Sequence, residues 1–297
     1  MTATATPAAT AAVQVRIKPS GKPLGADIAG VDLAQPLDAA TVEAIRNAWL
    51  DHLVIRFRGQ SLTLEQLERF SGYFGQMDKA PVTPWTGKPH IPEHPYIAVM
   101  SNIEQDGRPI GSLGNGEAAW HTDMSYKDEC PTASILYSVE IPPEGGNTNF
   151  ANMYRAYENL PADLRARVDA GLLCKHDAST NSAGQRRAGF EGMTDPRELP
   201  GAVHPVVRTH PETGRKSLFL GRRRNAYLMG LDLDESEALL DALWDAANDP
   251  DAVWSQEWRI GDVLMWDNRA VIHHRDAFEA TDRRLLYRTQ LLGDKPY

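Results

Sequence analysis

The sequence predicts a mainly β protein, a β-sandwich or barrel core with helices packed outside it. Three observations carry this expectation. The strand candidates cluster in the middle and toward the end of the chain. The helical patterns come early or as insertions. The connections between strands are long and irregular, unlike the short helical crossovers of a βαβ series, and no internal repeat is apparent.

Composition narrows the partners. The 297 residues are 42% hydrophobic and 24% charged, an ordinary globular balance. The net charge of −9 and the absence of a long Lys/Arg block argue against nucleic acid. No apolar run approaches the ~18 residues of a membrane span, so no membrane partner is expected. Cys130 and Cys174 are too few for a disulfide framework. They read as small buried residues in a reducing, cytoplasmic setting. Residues 1–13 are Ala- and Thr-rich without signal-peptide character and read as a disordered tail. The remainder, 14–297, reads as a single domain.

Short strands and turns are expected over 14–37. Asp38 suits the N-cap of a helix to about His52, because Val42, Ile45 and Trp49 fall at helical spacing. A strand follows at 53–57. Thr63 and Gln66 form a capping-box pair that opens a second helix, with Leu67, Phe70 and Phe74 on its buried face and Gly75 as its stop. The prolines of 78–96 make that stretch a loop and rule out a helical metal pair of His90 and His94. A strand follows at 97–101. Residues 104–117, with four glycines, read as a mobile loop inserted before the next strand. Further strands are expected at 133–141 and 147–150, then a helix over 152–171 restarting at Pro161. The low periodicity of 175–200 makes it a second inserted loop, open to disorder. A hairpin spans 205–220, Asp234 caps a helix to about Asn248, and strands are expected at 253–259, 263–266 and 285–292.

The chemistry begins at Trp120-His121-Thr122-Asp123. On an extended chain His121 and Asp123 point to one side, so an imidazole nitrogen and a carboxylate oxygen converge as a first-row divalent metal requires. A later histidine is needed to complete such a set. His273 and His274 supply candidates but point to opposite sides of a strand, so only one can join. Beyond them Arg284, Leu286, Arg288 and Gln290 share one face of the last strand. Two arginines there need anionic partners if that face is buried, and their separation of about 13 Å suits two different anions.

These residues resemble the iron(II)- and 2-oxoglutarate-dependent dioxygenases of the taurine dioxygenase and 2,4-dichlorophenoxyacetate dioxygenase group. The likeness runs from about residue 14 to the C-terminus. It includes Trp120–Asp123, Gly145-Gly146-Asn147-Thr148, His204–Pro211, Trp266–Arg269 and Gly293–Pro296. The fold it implies is a double-stranded β-helix, or jelly roll. It implies Fe(II) on His121, Asp123 and His273, and 2-oxoglutarate with its far carboxylate on Arg284 and Thr148. It places Arg288 on the anionic end of the substrate. The reaction implied consumes O2 and 2-oxoglutarate, releases succinate and CO2, and hydroxylates a substrate C–H, with fragmentation where the new hydroxyl lies beside a heteroatom. Assembly as a homodimer or homotetramer is also implied.

The likeness has gaps. A His and a Tyr that hold taurine are replaced in Ala80-Pro81-Val82-Thr83, and an Asn four residues before His121 is Glu117. Both changes argue against taurine. Glu117, with Asn115, is a candidate for a cationic or hydrogen-bonding part of an anionic or amphoteric substrate. Two other functions compete: a zinc hydrolase using the same three ligands, and a non-catalytic jelly-roll binding protein. Arg284 discriminates, since neither needs it. The remaining polar residues read blandly. His274 is structural, and His176, His204 and His210 lie on the surface or in the hairpin. Arg222–Arg224 form a solvated or subunit-contact run, or alternatively close over substrate. Trp120 and Trp266 pack near the metal, and Asp267, Asn268 and Arg269 brace the turn into the His273 strand.

Overall fold

Leu264 and Trp266 pack to one side of their strand and Val263 and Met265 to the other, and this period-two alternation organises the molecule. In this computed structural model, which describes residues 14–83, 87–181 and 184–297, two open sheets enclose the core. The proposed tail at 1–13 lies outside the described residues. The larger sheet runs, in spatial order, Arg16–Pro19, Ala26–Ala29, Val54–Phe57, Val263–Asp267, Ala133–Glu140, Leu285–Gln290, Ala98–Ser101 and Ser112–Leu113. The smaller runs Val253–Gln256, Thr148–Asn152, Val271–Arg275 and Ala118–His121. Pairing is antiparallel except between Ala26–Ala29 and Val54–Phe57 and at the Ser112–Leu113 edge. Among the described residues neither sheet closes into a barrel.

Three apolar clusters follow from that alternation. Leu136, Leu264, Trp266 and Leu286 of the larger sheet meet Phe150 and Trp254 of the smaller one between the sheets. On the outer face of the larger sheet, Ile55, Ile135, Val263 and Met265 receive Ile45, Trp49, Leu67 and Phe70 of the helices Ala39–His52 and Leu64–Gly72. On the outer face of the smaller sheet, Ala151 and Ile272 are covered by the helices Met153–Glu158, Ala162–Asp169 and Leu233–Ala247. The expected caps form at Asp38 and at the Thr63–Gln66 box. The third expected cap does not: Asp232 occupies the N-cap of the last helix and Asp234 lies in its first turn.

The Gly-rich stretch 104–117 is more regular than expected. Glu104–Gln105 and Arg108–Pro109 form a small hairpin, and the backbone of Ser112–Leu113 joins the larger sheet. The 175–200 stretch is irregular but anchored. Asp177 accepts from the Ser179 N–H, Thr180 Oγ1 and Asn225 Nδ2, so its turn is internally satisfied. The strand expected over 253–259 ends at Gln256, and that over 285–292 ends at Gln290.

The three histidines read as surface or hairpin residues are buried. His210 stays in its hairpin turn, but the turn folds inward. His210 Nδ1 accepts from the Glu212 and Thr213 N–H groups, which leaves Nε2 to donate to Asp267 at 3.0 Å. Arg269 binds the same carboxylate through Nε at 2.8 Å and Nη2 at 2.7 Å. Burial alone would raise the Asp267 carboxyl; Arg269 and then His210 hold it well below the usual carboxylate range. His204 lies edge to face with both His176 and Phe219, beside Cys130. Burial pushes His176 down to about 3 and lowers His204, so both are neutral inside the fold. Periodicity does not signal these three, because each sits in an irregular stretch or a very short strand.

Because a depressed carboxylate stabilises above its unfolded pKa and loses that contribution as pH falls, the Asp267 network has a testable signature. Asp267→Asn, which leaves Arg269 under-compensated, is expected to lower stability by roughly 3–5 kcal/mol at neutral pH in urea unfolding. The difference between variant and wild type should shrink below about pH 4.

Candidate metal centre and its cavity

His121 ends its strand directly opposite His273 on the neighbouring strand, with ring centroids 4.1 Å apart. Asp123 joins them by a different route from the extended chain expected. The strand stops at His121, and the Thr122 N–H donates to the Gly221 carbonyl. Asn268 then grips the Asp123 backbone from both sides. Its Oδ1 accepts the Asp123 N–H at 2.9 Å and its Nδ2 donates to the Asp123 carbonyl at 3.0 Å. Met124 follows at φ 50°, where the chain turns away. The result brings His121 Nε2 within 3.6 Å and His273 Nε2 within 3.9 Å of Asp123 Oδ1. All ligand atoms of the three lie within 4.8 Å of one another, and all three residues are buried.

The protonation states suit a metal. His121 Nδ1 donates to the Ala119 carbonyl at 2.8 Å, which leaves the Nε2 lone pair free. Burial, then the neighbouring His121, push His273 down to about 3, so it is neutral. Burial would raise the Asp123 carboxyl. Arg288, whose Nη1 lies 3.6 Å from Oδ1, and then the two histidines hold it well below the carboxylate range. The other oxygen, Oδ2, accepts from Ser134 Oγ at 2.8 Å and Gln290 Nε2 at 3.1 Å. Two imidazoles with their Nε2 atoms near Asp123 and one oriented carboxylate are a fitting set for a first-row divalent ion with open positions.

These residues line a cavity of about 280 Å³. Its apolar wall includes Pro81, Ala98, Met100, Leu136 and Trp266, and Thr148 is also in its lining. Arg284 and Arg288, the two arginines sharing a strand face, both reach it. Arg284 is 4% exposed, its Nε has no hydrogen-bond partner, and among the described residues no carboxylate pairs with it. Burial, then the charge of Arg275, lower its hold on a proton, yet a guanidinium stays charged at neutral pH. Ser101 and Asn102 fix its backbone. The Thr148 hydroxyl accepts from Trp258 Nε1 at 3.1 Å.

Two expected site residues lie elsewhere. Asn115 and Glu117 are not in the cavity lining. Asn115 Nδ2 donates to the Phe278 carbonyl at 3.4 Å, and the Glu117 carboxylate takes His274 Nε2 at 2.7 Å. His274, on the strand face away from the metal ligands, stacks on Trp120. Three contributors were missed. Arg275 lines the cavity, and its place two residues after His273 on one strand was a usable signal. Gln290 and Ser134 hold Asp123, although only the shared face of Gln290 was visible in the sequence. Arg222 also lines the cavity, whereas Arg223 pairs with Glu237 and Asp241 on the last helix and Arg224 donates to the Gly184 carbonyl. The reading of that run as solvated or subunit-contacting therefore fails for Arg222, which a long-range bridge to His121 carries inward.

Comparison with known proteins agrees with this geometry. Residues 16–290 match the family described as "Taurine catabolism dioxygenase TauD, TfdA family". The chain belongs to this family. It is 33% identical over 290 residues to pentalenolactone F synthase of Streptomyces avermitilis, covering 93% of each chain. It is 31% identical over 291 residues to the (S)-phenoxypropionate/alpha-ketoglutarate-dioxygenase of Sphingobium herbicidovorans, covering 94% of this chain and 95% of that one. The solved structure of AAD-2 in complex with Mn(II) and N-oxalylglycine superposes with a TM-score of 0.78 at 28% identity, over 95% of this chain and 98% of that one. The jelly-roll core and the class of 2-oxoglutarate-dependent, non-haem iron oxidoreductase expected from the sequence both stand.

Holding the far oxygen of a ligand carboxylate typically changes metal affinity by about 10–100-fold. Gln290→Leu is therefore expected to weaken Mn(II) binding by about that factor in anaerobic calorimetry. His273→Ala should abolish it.

Proposed function

We propose that this TauD, TfdA family member couples oxidative decarboxylation of 2-oxoglutarate, to succinate and CO2, with hydroxylation of a C–H bond in a small anionic organic substrate. The observation that carries the reading is Arg284. A buried, unpaired guanidinium in the same cavity as the His121, Asp123 and His273 cluster costs too much to hold without an anion to receive. The far carboxylate of 2-oxoglutarate is that anion, with Thr148 beside it. Bound by the two histidines and Asp123, Fe(II) supplies the O2 chemistry that side chains lack.

The chain's own part is positioning and exclusion. Gln290, Ser134 and Asn268 orient Asp123. Arg288 is the substrate's anion contact, and the wall of Met100, Leu136 and Trp266 keeps water from the reacting carbon. Taurine is disfavoured, since Pro81 brings no polar contact to the cavity. Fragmentation follows where the hydroxylated carbon bears a heteroatom. The match over 16–290 and the contribution of both chain ends to the larger sheet support one domain over 14–297. The free, buried Cys130 and Cys174 support a reducing, cytoplasmic setting. No helix among the described residues is long and apolar enough to cross a membrane. A zinc hydrolase is not favoured, because it has no use for the buried, unpaired Arg284 in the same cavity as the metal ligands.

A succinate-release screen over sulfonates, aryloxy acids, sulfate esters and amino acids locates the substrate. With it, Arg284→Leu is expected to raise the 2-oxoglutarate concentration for half-maximal rate by about 10–100-fold, the value of one charge-assisted pair. An unchanged dependence would remove Arg284 from the co-substrate site.

A further inference from the structure

The cavity lining holds five arginines, 187, 222, 275, 284 and 288, against one carboxylate, Asp123. The chain as a whole has the opposite balance, 40 Asp and Glu against 31 Lys and Arg, so acidic partners are plentiful elsewhere. Arg275 and Arg284 oppose each other's charge and form one group, at the end assigned above to 2-oxoglutarate. Arg288 stands beside Asp123. Arg222 and Arg187 remain. Their charges also oppose each other, and neither has an ion pair among the described residues.

Arg222 is placed for a ligand. Its backbone bridges His121, so its side chain starts beside a metal ligand. Nη1 donates to the Thr180 carbonyl at 3.0 Å, which fixes the guanidinium, while Nε is buried without a partner. The acid with most influence on it, Asp177, is already occupied by Ser179, Thr180 and Asn225. Arg187 lies against the ring of Tyr126, another lining residue, at 4.7 Å, and is exposed toward solvent. A fixed, largely desolvated guanidinium with a second one near it is a site for a carboxylate, sulfonate or phosphate.

We infer that the primary substrate is a dianion, with one anionic group on Arg288 and a second, at the far end of its carbon skeleton, on Arg222 assisted by Arg187. This rests on the dioxygenase reading and adds a second charge to its substrate. The apolar residues that share the lining with the arginines, Ala98, Met100, Leu136 and Trp266, suit the carbon chain that joins the two groups.

The test uses full-length protein loaded anaerobically with Mn(II) and then 2-oxoglutarate in a calorimeter. Matched pairs are titrated next: hexanoate against adipate, octanoate against suberate, decanoate against sebacate. At one chain length or more the dicarboxylate should bind at least about tenfold tighter than its monocarboxylate partner. Arg222→Gln should erase that preference while leaving monocarboxylate affinity and 2-oxoglutarate loading in place. Arg187→Gln, at the exposed mouth, should reduce the preference even if the Arg222 variant folds poorly. If no pair shows the preference in the wild-type protein, or if it survives in folded Arg222→Gln, the inference is overturned. A protein that takes up no 2-oxoglutarate in the loading step overturns the dioxygenase reading as well, so the two failures are distinct.

Discussion

The site depends on the grip of Asn268 on the backbone of Asp123. The strand carrying His121 ends there, two residues short of Asp123, so strand geometry does not deliver the carboxylate. The carboxylate is placed instead by a side chain 145 residues away in sequence, through hydrogen bonds to the N–H and the carbonyl of Asp123 itself. Asn268 lies in the turn that Asp267, Arg269 and His210 lock from below, and that turn leads into the strand bearing His273. One braced turn therefore sets two of the three ligands relative to each other. A buried network in which every member is satisfied is the stiff support such a site needs.

The charge pattern has the same logic. Cations are concentrated in the cavity lining: Arg187, Arg222, Arg275, Arg284 and Arg288 share it with a single carboxylate, Asp123. The buried, unpaired Arg284 costs stability when the cavity is empty, and it gives a bound anion a partner already stripped of water. Met100, Leu136 and Trp266, on the inner face of the larger sheet, belong both to the core between the sheets and to the cavity lining, so one alternation of side chains builds both the core and the pocket wall.

Much of this was legible in the sequence. Helical periodicity and capping residues located the two early helices, and the spacing of His121 and Asp123 pointed to a metal pair; the choice of His273 over His274 and the roles of Arg284 and Arg288 rested on the family resemblance. Two kinds of feature were hidden. Buried polar residues in irregular segments, such as His176 and Arg222, carry no periodic signal, and only long-range pairing shows which way they face. Glu117 illustrates the reverse. Its place four residues before His121 suggested a substrate contact, but His274, pointing away from the metal on the neighbouring strand, takes its carboxylate.

The central claim is that His121, Asp123 and His273 hold a metal that 2-oxoglutarate chelates in the same cavity. Its most direct test is the anaerobic absorption spectrum of the protein with Fe(II), before and after 2-oxoglutarate. The account predicts a weak visible charge-transfer band that appears only with both present and is missing in His273→Ala. A spectrum unchanged by 2-oxoglutarate in the folded, metal-loaded protein would contradict it.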